Sequence, residues 1–201
     1  HDTVYVRSAD EGRTWTNAAG TAVGTTGSSS LVAVSSPGLV VDPLSPDHAL
    51  MNQESQAVDS AGRPHALISY VPGRFGQCVT DYVSGRVANA YPFHIHQDAA
   101  GAWHKTEIPF ALGSSQRSQL LLDAYDNAYV VMPYGRIAAA SAESGWSDWA
   151  MLFEDDLNAF GEIVPDYDRI AVDGVLSFLY QESSSGTTPS PLHVIDFQLP
   201  T

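Results

Sequence analysis

Short runs of β-branched and aromatic residues recur along the whole chain, and Gly, Pro, Asp and Ser interrupt them every few residues. No stretch repeats apolar residues at the spacing of three and four that an amphipathic helix requires. Short apolar runs between turn-forming residues are typical of strands in an all-β protein. The sequence therefore predicts strands at Thr3–Arg7, Ser55–Asp59, His65–Val71, Pro92–Gln97, Trp103–Ile108, Gln119–Asp123, Ala128–Met132, Ile137–Ser141, Trp149–Phe153, Arg169–Val172, Val175–Gln181 and Leu192–Phe197. The Gly/Ser/Thr-rich stretch Thr21–Ser36 is predicted to be an exposed connection.

A weak internal repeat links three of these regions. Residues 58–70 (VDSAGRPHALISY) resemble residues 122–134 (LDAYDNAYVVMPY), and residues 172–180 (VDGVLSFLY) are a shortened third copy. Each copy is predicted to be a strand, a tight turn and a second strand, and polar Gly/Trp hairpins follow the first two copies at Asp98–Trp103 and Glu143–Trp149. A four-stranded unit that recurs at roughly 40–65 residues is typical of a β-propeller blade. We therefore expect one partial β-propeller domain over residues 1–201, with blades at about 52–109, 117–155 and 162–201.

The segment Ser8–Trp15 (SADEGRTW) matches the pattern Ser-x-Asp-x-Gly-x-Thr-Trp, the Asp-box hairpin. Asp10 is expected to close the turn by accepting backbone N–H bonds, and Gly12 is expected to supply a positive φ. Trp15 is expected to pack beneath the turn. The motif predicts a propeller hairpin, and its residues are structural, so it carries no information about chemistry.

Composition excludes several classes of partner. The 201 residues include 9 Lys and Arg against 23 Asp and Glu, a formal net charge of −14. Such a surface repels phosphate, so we expect neither a nucleic acid nor a membrane as a partner. No apolar run approaches the roughly 20 residues of a membrane span. The single cysteine, Cys78, excludes an intrachain disulfide, and the Lys-poor, Gly/Ser/Thr-rich acidic composition favours a secreted, extracellular protein.

Most of the chain resembles the C-terminal half of a BNR-repeat family that includes propeller polysaccharide lyases. Its nearest members look like fungal rhamnose–glucuronate lyases that act on gum-arabic-type arabinogalactan, with ulvan lyases as more distant relatives. The residues that carry the resemblance beyond the Asp-box are His1-Asp2 before Tyr5–Ser8, Asn52-Gln53, Asp59–His65, His94–Asp98, Gly101–Trp103, Arg117, Glu162–Asp166, Leu176–Gln181 and Pro191–Phe197.

The resemblance implies that the chain is half of a seven-bladed propeller. Half a propeller cannot close its ring and exposes two sheet faces, which is unfavourable in water. We therefore expect the N-terminal half of the ring to come from a second chain or from a missing segment. The start of the chain inside a predicted strand agrees with this expectation, because it indicates either processing directly before His1 or a piece of something longer.

The resemblance also implies β-elimination next to a uronic acid in an acidic plant- or algal-type polysaccharide. That reaction removes the C5 proton of the uronate and expels the 4-linked sugar, so it needs a group that neutralises the carboxylate, a base and an acid. Arginine suits the first task, and His or Tyr suits the others. The catalytic candidates are His1, which the family pattern places at the start of an inner strand, and Arg117, which directly precedes one. The alternatives are a terminal histidine and a surface ion pair, and the resemblance implies that most of the His/Tyr/Arg core lies in the missing half.

Amides and a tyrosine near strand ends are candidates for binding the substrate. Asn52 and Gln53 precede a predicted inner strand, and Tyr180 and Gln181 end another strand, so these side chains could bind sugar hydroxyls. The alternative is that they satisfy backbone groups at a blade entrance. A charged cluster is expected instead to be an ion-pair network between blades, and it consists of Glu162, Asp166, Asp168 and Arg169.

Three histidines and the cysteine raise the possibility of a metal site. His94 and His96 lie on one face of a predicted strand because side chains alternate, and His104 lies on the next strand. With Cys78 they would complete a tetrahedral zinc site, a structural zinc that the resemblance to ulvan lyases implies. The alternative is histidines that face solvent on a blade. No cofactor is expected for catalysis.

The sequence also allows functions other than that of a lyase. A non-catalytic carbohydrate-binding propeller is the main alternative, and a sialidase-like glycoside hydrolase is the next, although an Arg triad with a Tyr/Glu pair cannot be assembled from this sequence. An N-terminal histidine is also a hallmark of copper-dependent polysaccharide monooxygenases. Those enzymes need a second copper-binding histidine and an immunoglobulin-like sandwich, usually with disulfides, and the lone Cys78 and the Asp-box argue against them.

Overall fold

The computed structural model describes residues 2–52, 55–76 and 78–199. It confirms the all-β class, with 38% of residues in strands and 11% in helices. The contacts group these residues into two compact units. The first contains the residues up to Pro46 together with Asp98–Trp103, and the second contains Asp47–Gln97 and the residues from His104 onward.

The first unit contains two small antiparallel sheets. Strand β1 (Thr3–Val4) pairs with β4 (Val40–Asp42), and β2 (Thr14–Thr16) pairs with β3 (Ala22–Thr25). β3 lies inside the stretch Thr21–Ser36, which was predicted to be only a connection, so that prediction was wrong at β3.

The Asp-box forms the turn before β2. The Asp10 carboxylate accepts the Thr14 N–H at 2.8 Å, and the Ser8 hydroxyl accepts the Gly12 N–H at 2.8 Å. Gly12 has a φ of 81°, and the Trp15 ring lies 3.5 Å from the position of a Cβ on that glycine. The hydrogen bonds from the Thr14 backbone and side chain lower the pKa of Asp10 to about 2. The turn therefore has the geometry that the motif predicts.

One turn arrangement recurs at four places in the described chain. In each, the Oδ1 atom of an Asp or Asn accepts the N–H groups two and four residues further on, at 2.8–3.0 Å. These bonds satisfy backbone N–H groups that, because of the tight turn, cannot pair with a neighbouring strand. The four residues are Asn17, Asp59, Asp98 and Asp123. Asp59 and Asp123 are the aspartates that head the first two copies of the sequence repeat.

Three antiparallel sheets follow in chain order, and within each sheet consecutive strands are neighbours. The first sheet consists of β5 (Ser55–Val58), β6 (Pro64–Tyr70), β7 (Tyr91–Gln97) and β8 (Trp103–Glu107). The second consists of β9 (Gln119–Leu122), β10 (Ala128–Val131), β11 (Ile137–Ala140) and β12 (Ala150–Phe153). The third consists of β13 (Ala159–Pro165), β14 (Val175–Glu182) and β15 (Leu192–Gln198).

The second sheet is buried on both faces. Ala128 and Val130 of β10 belong to an apolar cluster that also contains Leu67 of the first sheet. Tyr129 and Val131, which point to the opposite face, pack in another cluster that contains Phe178 of the third sheet. Full burial of one large apolar side chain contributes about 1.5–3 kcal/mol, so these two clusters hold the three sheets in a face-to-face stack.

Two short helices correct the strand prediction. The segment Arg169–Val172, predicted as a strand, lies in helix α2 (Tyr167–Asp173), and the third repeat copy is therefore not a strand-turn-strand unit. Asp166 caps this helix by accepting the N–H groups of Asp168 and Arg169, which is a strong local signal for a helix start. Helix α1 (Tyr82–Asn89), capped by Asp81, was also not predicted. Neither of these helices in the described chain is long and apolar enough to cross a membrane.

Strand β13 (Ala159–Pro165) was missed as well. Its register against β14 shifts between Phe160 and Val164, so the strand carries a β-bulge. A bulge breaks the simple alternation on which strand prediction relies, and it re-aims the side chains within it. Glu162 is one of the re-aimed residues.

Candidate functional site

Arg117 lies in the segment before β9 and contacts residues from two other sheets. Its Nε donates to the Asn52 carbonyl at 2.8 Å, and its Nη2 donates to the Asn52 Oδ1 at 3.1 Å. Its Nη1 contacts both carboxylate oxygens of Glu162, at 2.8 and 3.1 Å. The structure thus brings together the catalytic candidate Arg117 and the binding candidate Asn52.

Neighbouring elements fix the residues around Arg117. Arg86 of α1 donates to the carbonyls of Ala49 and Leu50, each at 2.7 Å, and so anchors the chain just before Asn52. The Leu120 N–H donates to the Ser55 hydroxyl at 3.0 Å, which ties β9 to β5. The guanidinium is therefore held on a rigid framework rather than on a free loop.

The Arg117–Glu162 pair is only partly exposed, with 30% and 38% of the two side chains accessible. Arg117 therefore agrees with both interpretations, because it forms a surface ion pair and its side chain is also accessible to a ligand. An exposed pair of this kind contributes about 0–1 kcal/mol to stability. Glu162 already neutralises the guanidinium, so an incoming carboxylate has to compete with it.

A tyrosine that the sequence analysis did not select extends this site. Tyr167, the first residue of α2, donates from its hydroxyl to the Gln119 Oε1 at 2.6 Å. About half of Tyr167 is exposed at 49%. The available signal was the N-cap Asp166 directly before it. We call Asn52, Arg117, Gln119, Glu162 and Tyr167 the Arg117 cluster.

The other described binding candidates, Tyr180 and Gln181, form contacts of their own and line a pocket together with Glu162, the partner of Arg117. The Tyr180 ring stacks on His193 with ring centres 5.0 Å apart, on the face of the third sheet that packs in the core. Gln181 points to the opposite face, and its Nε2 donates to the Ser190 hydroxyl at 2.8 Å. Gln181 and Glu162 both line an open pocket of about 380 Å³. The candidates His1 and Gln53 lie outside the described residues.

The histidines form a buried stack. The rings of His94 and His96 lie 5.0 Å apart, as expected for one face of a strand, and His65 of β6 stacks on both. The His65 Nδ1 and the His94 Nε2 are 2.9 Å apart, so one ring donates a hydrogen bond to the other. The edge of Trp146 packs against all three rings, which are buried. His65 was not selected from the sequence, although it ends the Asp59–His65 motif.

The predicted zinc ligands do not converge. Cys78 is exposed, and its Sγ lies 3.7 Å from the Asp47 Oδ2. His104 is exposed and stacks on His96 at 5.3 Å. In the described part of the chain no group of three or more His, Cys, Asp or Glu side chains could hold a metal ion. Stacked rings present their faces to one another rather than aiming their nitrogens at a common point, so the site of Cys78, His94, His96 and His104 does not form, and the residues do not fit a structural zinc.

The family of the chain follows from its first half. The model of the BNR repeat-containing family matches residues 1–111, more than half of the 201 residues. The chain belongs to the BNR repeat-containing family. No curated protein matches it. The matched part of this BNR-family chain includes the Asp-box and the strands β1–β8, and of the Arg117 cluster it includes only Asn52.

Burial determines the protonation of the histidine stack in this BNR-family protein. Burial, reinforced by His65 and His96, lowers the pKa of His94 to about 2. Burial also lowers the pKa of His65, although the Asp59 carboxylate opposes the shift. The rings of His65 and His94 are therefore neutral at pH 7, and the three stacked rings pack between the first and second sheets.

The charged residues that were predicted to form one network have separate partners in the structure. Glu162 pairs with Arg117, and Asp166 caps α2. Arg169 pairs with Asp196 at 2.9 Å, and this ion pair lies within the third sheet and its helix. Among the described residues, Glu162, Asp166, Asp168 and Arg169 therefore do not form one network, and Glu162 pairs instead with Arg117 of the segment before β9.

Proposed function

We propose that the chain binds a polysaccharide through the Arg117 cluster, as part of a secreted β-propeller. The contact that carries the proposal is the partly exposed Arg117 guanidinium, held in place by Asn52 and Glu162. Together with Gln119 and Tyr167 it offers guanidinium, amide and hydroxyl donors beside carboxylate and amide acceptors. Such a mixed set matches sugar hydroxyls, each of which donates and accepts hydrogen bonds. Membership of the BNR repeat-containing family supports a carbohydrate-related function.

The stack of three sheets supports the propeller part of the proposal. Each sheet is an antiparallel meander in chain order, and successive sheets pack face to face. Radial repetition of such meanders is how propellers are built. The Arg117 cluster contains residues in or near the first strand of each sheet, namely Asn52 before β5, Arg117 before β9 and Glu162 in β13. If these are the inner strands of blades around a common axis, the residues would line one channel.

The ligand class follows from the charges. The carboxylate of Glu162 neutralises the charge of Arg117, so the cluster is suited mainly to neutral hydroxyl groups. The carboxylate of a neighbouring uronate could also bind the guanidinium, on the side where Asn52 contacts it. The net charge of −14 disfavours a densely charged polyanion. An acidic plant- or algal-type polysaccharide with spaced uronates, such as an arabinogalactan, satisfies both conditions.

A second candidate function is β-elimination next to a uronate. Tyr167 favours it, because the residue is half exposed and its hydroxyl, a proton donor, contacts Gln119, two residues from Arg117. In that reaction a base takes the C5 proton, the C5–H electrons form the C4–C5 double bond, and the departing oxygen at C4 takes a proton from Tyr167. Arg117 would stabilise the carboxylate as charge develops on it. The base would come from His1 or from the rest of the ring.

Binding is tested with gum-arabic arabinogalactan in a calorimetric titration of the full chain. We expect Arg117→Gln to weaken binding by about 10-fold or more, since a charged hydrogen bond to a ligand contributes about 1.5–3 kcal/mol. Arg13→Gln is the matched control, because Arg13 forms an exposed ion pair with Glu11 in the Asp-box, and it should leave binding unchanged. Equal binding by both variants and the unchanged chain would refute the site.

Elimination is tested by the ultraviolet absorbance of unsaturated uronate products. We expect Tyr167→Phe to abolish the rise in absorbance while the polysaccharide still binds, because the ring remains and only the hydroxyl is lost. Binding without any absorbance rise in the unchanged chain would show that this chain does not carry out the elimination by itself and would retain the binding function.

A further inference from the structure

A tyrosine occupies an unfavourable position in the turn that follows β10. The Gly135 N–H donates to the Met132 carbonyl at 3.1 Å and closes a four-residue turn, in which Pro133 is second and Tyr134 is third. Tyr134 has a φ of 68° and a ψ of 10°. These angles are typical of the third residue of a type II turn, a position that favours glycine or asparagine. We call residues Met132–Gly135 the Tyr134 turn.

The contacts of Tyr134 within the chain do not explain why a bulky residue is present there. A positive φ is strained for such a side chain, and in the described chain two aromatic residues have one, Tyr134 and Trp146. Trp146 is buried, its Nε1 donates to the Asp126 carbonyl at 2.8 Å, and its ring packs against the histidine stack, so contacts within the fold offset its strain. Tyr134 is 43% exposed, and among the described residues its hydroxyl has no hydrogen-bond partner and its ring stacks on no other ring. Strained residues of this kind are typical of ligand-binding sites.

The Tyr134 turn is held in place by close contacts. A Cβ on Gly135 would lie 2.7 Å from Leu157 Cδ1, so the backbone of the turn packs tightly there. Directly after the turn, the Arg136 Nη2 donates to the carbonyls of Ala111 and Leu112 at 3.1 and 2.6 Å. A partly exposed aromatic side chain on a fixed turn loses little conformational entropy when a ligand binds to it.

The Tyr134 turn lies at the same end of the second sheet as Arg117. β9 and β10 pair Gln119 with Val131, so the segment before β9 and the segment after β10 leave the sheet at one end. Arg117 is two residues before Gln119, Tyr134 is three residues after Val131, and paired strands are about 4.8 Å apart. The turn also packs against β13, the strand that contains Glu162. A polysaccharide bound at the Arg117 cluster can therefore extend to the Tyr134 turn.

The chemistry of the tyrosine side chain suits a neutral sugar. A sugar ring has an apolar C–H face and hydroxyl groups, and a tyrosine likewise combines an apolar ring face with a polar hydroxyl. A neutral unit also avoids repulsion by the net charge of −14. In a polysaccharide with spaced uronates, neutral sugars are the neighbours of each uronate.

We propose that Tyr134 stacks on a neutral sugar next to the unit that binds at the Arg117 cluster. This inference rests on the proposed function and deepens it, because it adds a second binding position and a preference for a neutral neighbouring sugar. The contact with the sugar is then the interaction that the strained tyrosine serves, as contacts within the fold are for Trp146.

Calorimetric titration of the full chain with gum-arabic arabinogalactan tests the proposal. We expect Tyr134→Gly to weaken binding by about 5-fold or more, and Tyr134→Phe, which keeps the ring, to weaken it by less than about 2-fold. Tyr125→Gly is the matched control, because Tyr125 is an exposed tyrosine in the turn between β9 and β10, at the opposite end of the same sheet. This control should leave binding unchanged.

Thermal unfolding of the same variants separates a binding role from a structural one. Glycine is favoured at the left-handed position, so we expect Tyr134→Gly to keep the midpoint within about 4 °C of that of the unchanged chain. A larger fall in the midpoint together with unchanged binding would show that Tyr134 is structural, and it would overturn the proposal.

The result for Arg117→Gln distinguishes this inference from the proposed function. Weaker binding by Arg117→Gln with full binding by Tyr134→Gly would overturn the inference and retain the proposed function. Weaker binding by Tyr134→Gly with full binding by Arg117→Gln would refute the Arg117 cluster and support the sugar contact of Tyr134. Equal weakening by Tyr125→Gly would overturn the inference, and an unchanged chain that does not bind arabinogalactan would overturn both.

Discussion

At the scale of single residues, the turn aspartates accept backbone hydrogen bonds and also form contacts with other side chains. Asp59 shows how one residue serves several partners, because its Oδ1 caps two backbone N–H groups while its Oδ2 accepts the Arg63 Nε at 2.6 Å. Burial raises the pKa of this carboxyl, but the hydrogen bonds with Arg63 together lower the pKa by more than burial raises it, so the pKa falls below its usual value. Asp59 therefore remains ionised beside the neutral histidine stack.

Two glycines allow a residue-scale prediction with an internal control. Both Gly135 and Gly145 have a positive φ, at 85° and 64°. A Cβ at Gly135 would lie 2.7 Å from Leu157 Cδ1, whereas a Cβ at Gly145 would have no neighbour within 4 Å. We expect Gly135→Ala to reduce the free energy of unfolding by up to about 1 kcal/mol more than Gly145→Ala, since the terminal methyl of Leu157 must move while both variants share the backbone strain. Urea denaturation measures both values, and equal losses would contradict the packing argument.

At the scale of elements, the histidine stack makes the contact between the first and second sheets sensitive to acid. His65 also faces Asp59, Arg63 and Asp126, and His96 also faces His104. Trp146 and Trp149 of the second sheet, which are buried, cover the rings. Protonation of a ring in this site would place a charge between two indoles and beside two other imidazoles, so the folded chain resists it.

The pH dependence follows from the lowered pKa values of His65 and His94. Unfolded histidines take up protons below about pH 6.5, whereas these rings stay neutral in the folded chain. The unfolded state then binds more protons, so stability is full above pH 6.5 and falls as the pH decreases. Well below pH 6.5 the slope approaches about 1.4 kcal/mol per pH unit for His94, and His65 changes the stability in the same direction. Urea denaturation at pH 7.5 and 5.5 checks this, and stability that is equal at both values would contradict it.

A pair of variants assigns the pH slope to the stack. His94→Leu removes one of the titrating rings and keeps an apolar side chain, so we expect a smaller difference in stability between the two pH values. Leu67→Ala, which perturbs the same contact between the first and second sheets without removing a titrating ring, should leave the difference unchanged. This comparison uses the slope and not the absolute stability, so a general destabilisation by His94→Leu does not affect the outcome.

At the scale of the whole molecule, net charge opposes compaction. The excess of 23 acidic over 9 basic residues makes like-charge repulsion the dominant long-range term. Salt screens it with a Debye length of about 30 Å at 0.01 M and about 8 Å at 0.15 M. We expect the midpoint of thermal unfolding to rise between these two salt concentrations, as differential scanning fluorimetry measures. A lower midpoint at higher salt would show that local ion pairs outweigh the repulsion.

The sequence predicted a large part of the fold and less of the site. The strands from β5 to β12, β14 and β15 were predicted because each is a short apolar run bounded by turn residues. β13 was missed because its bulge breaks the alternation, and α2 was taken for a strand because seven residues are too few to show helical periodicity. Arg117 and Asn52 were predicted from the sequence, but Tyr167 was not, since its local signal, the N-cap Asp166, indicates the start of a helix and not a binding residue.

The sequence by itself determined the all-β class, the Asp-box and the Asp turns, because each of these is specified by interactions within about four to eight residues. Only the tertiary structure decided which distant groups meet. Arg117 is 65 residues from Asn52 and 45 from Glu162, and His65 is 29 residues from His94. Contacts over such separations depend on how the sheets stack, and burial by that stacking also lowers the pKa values of His65 and His94.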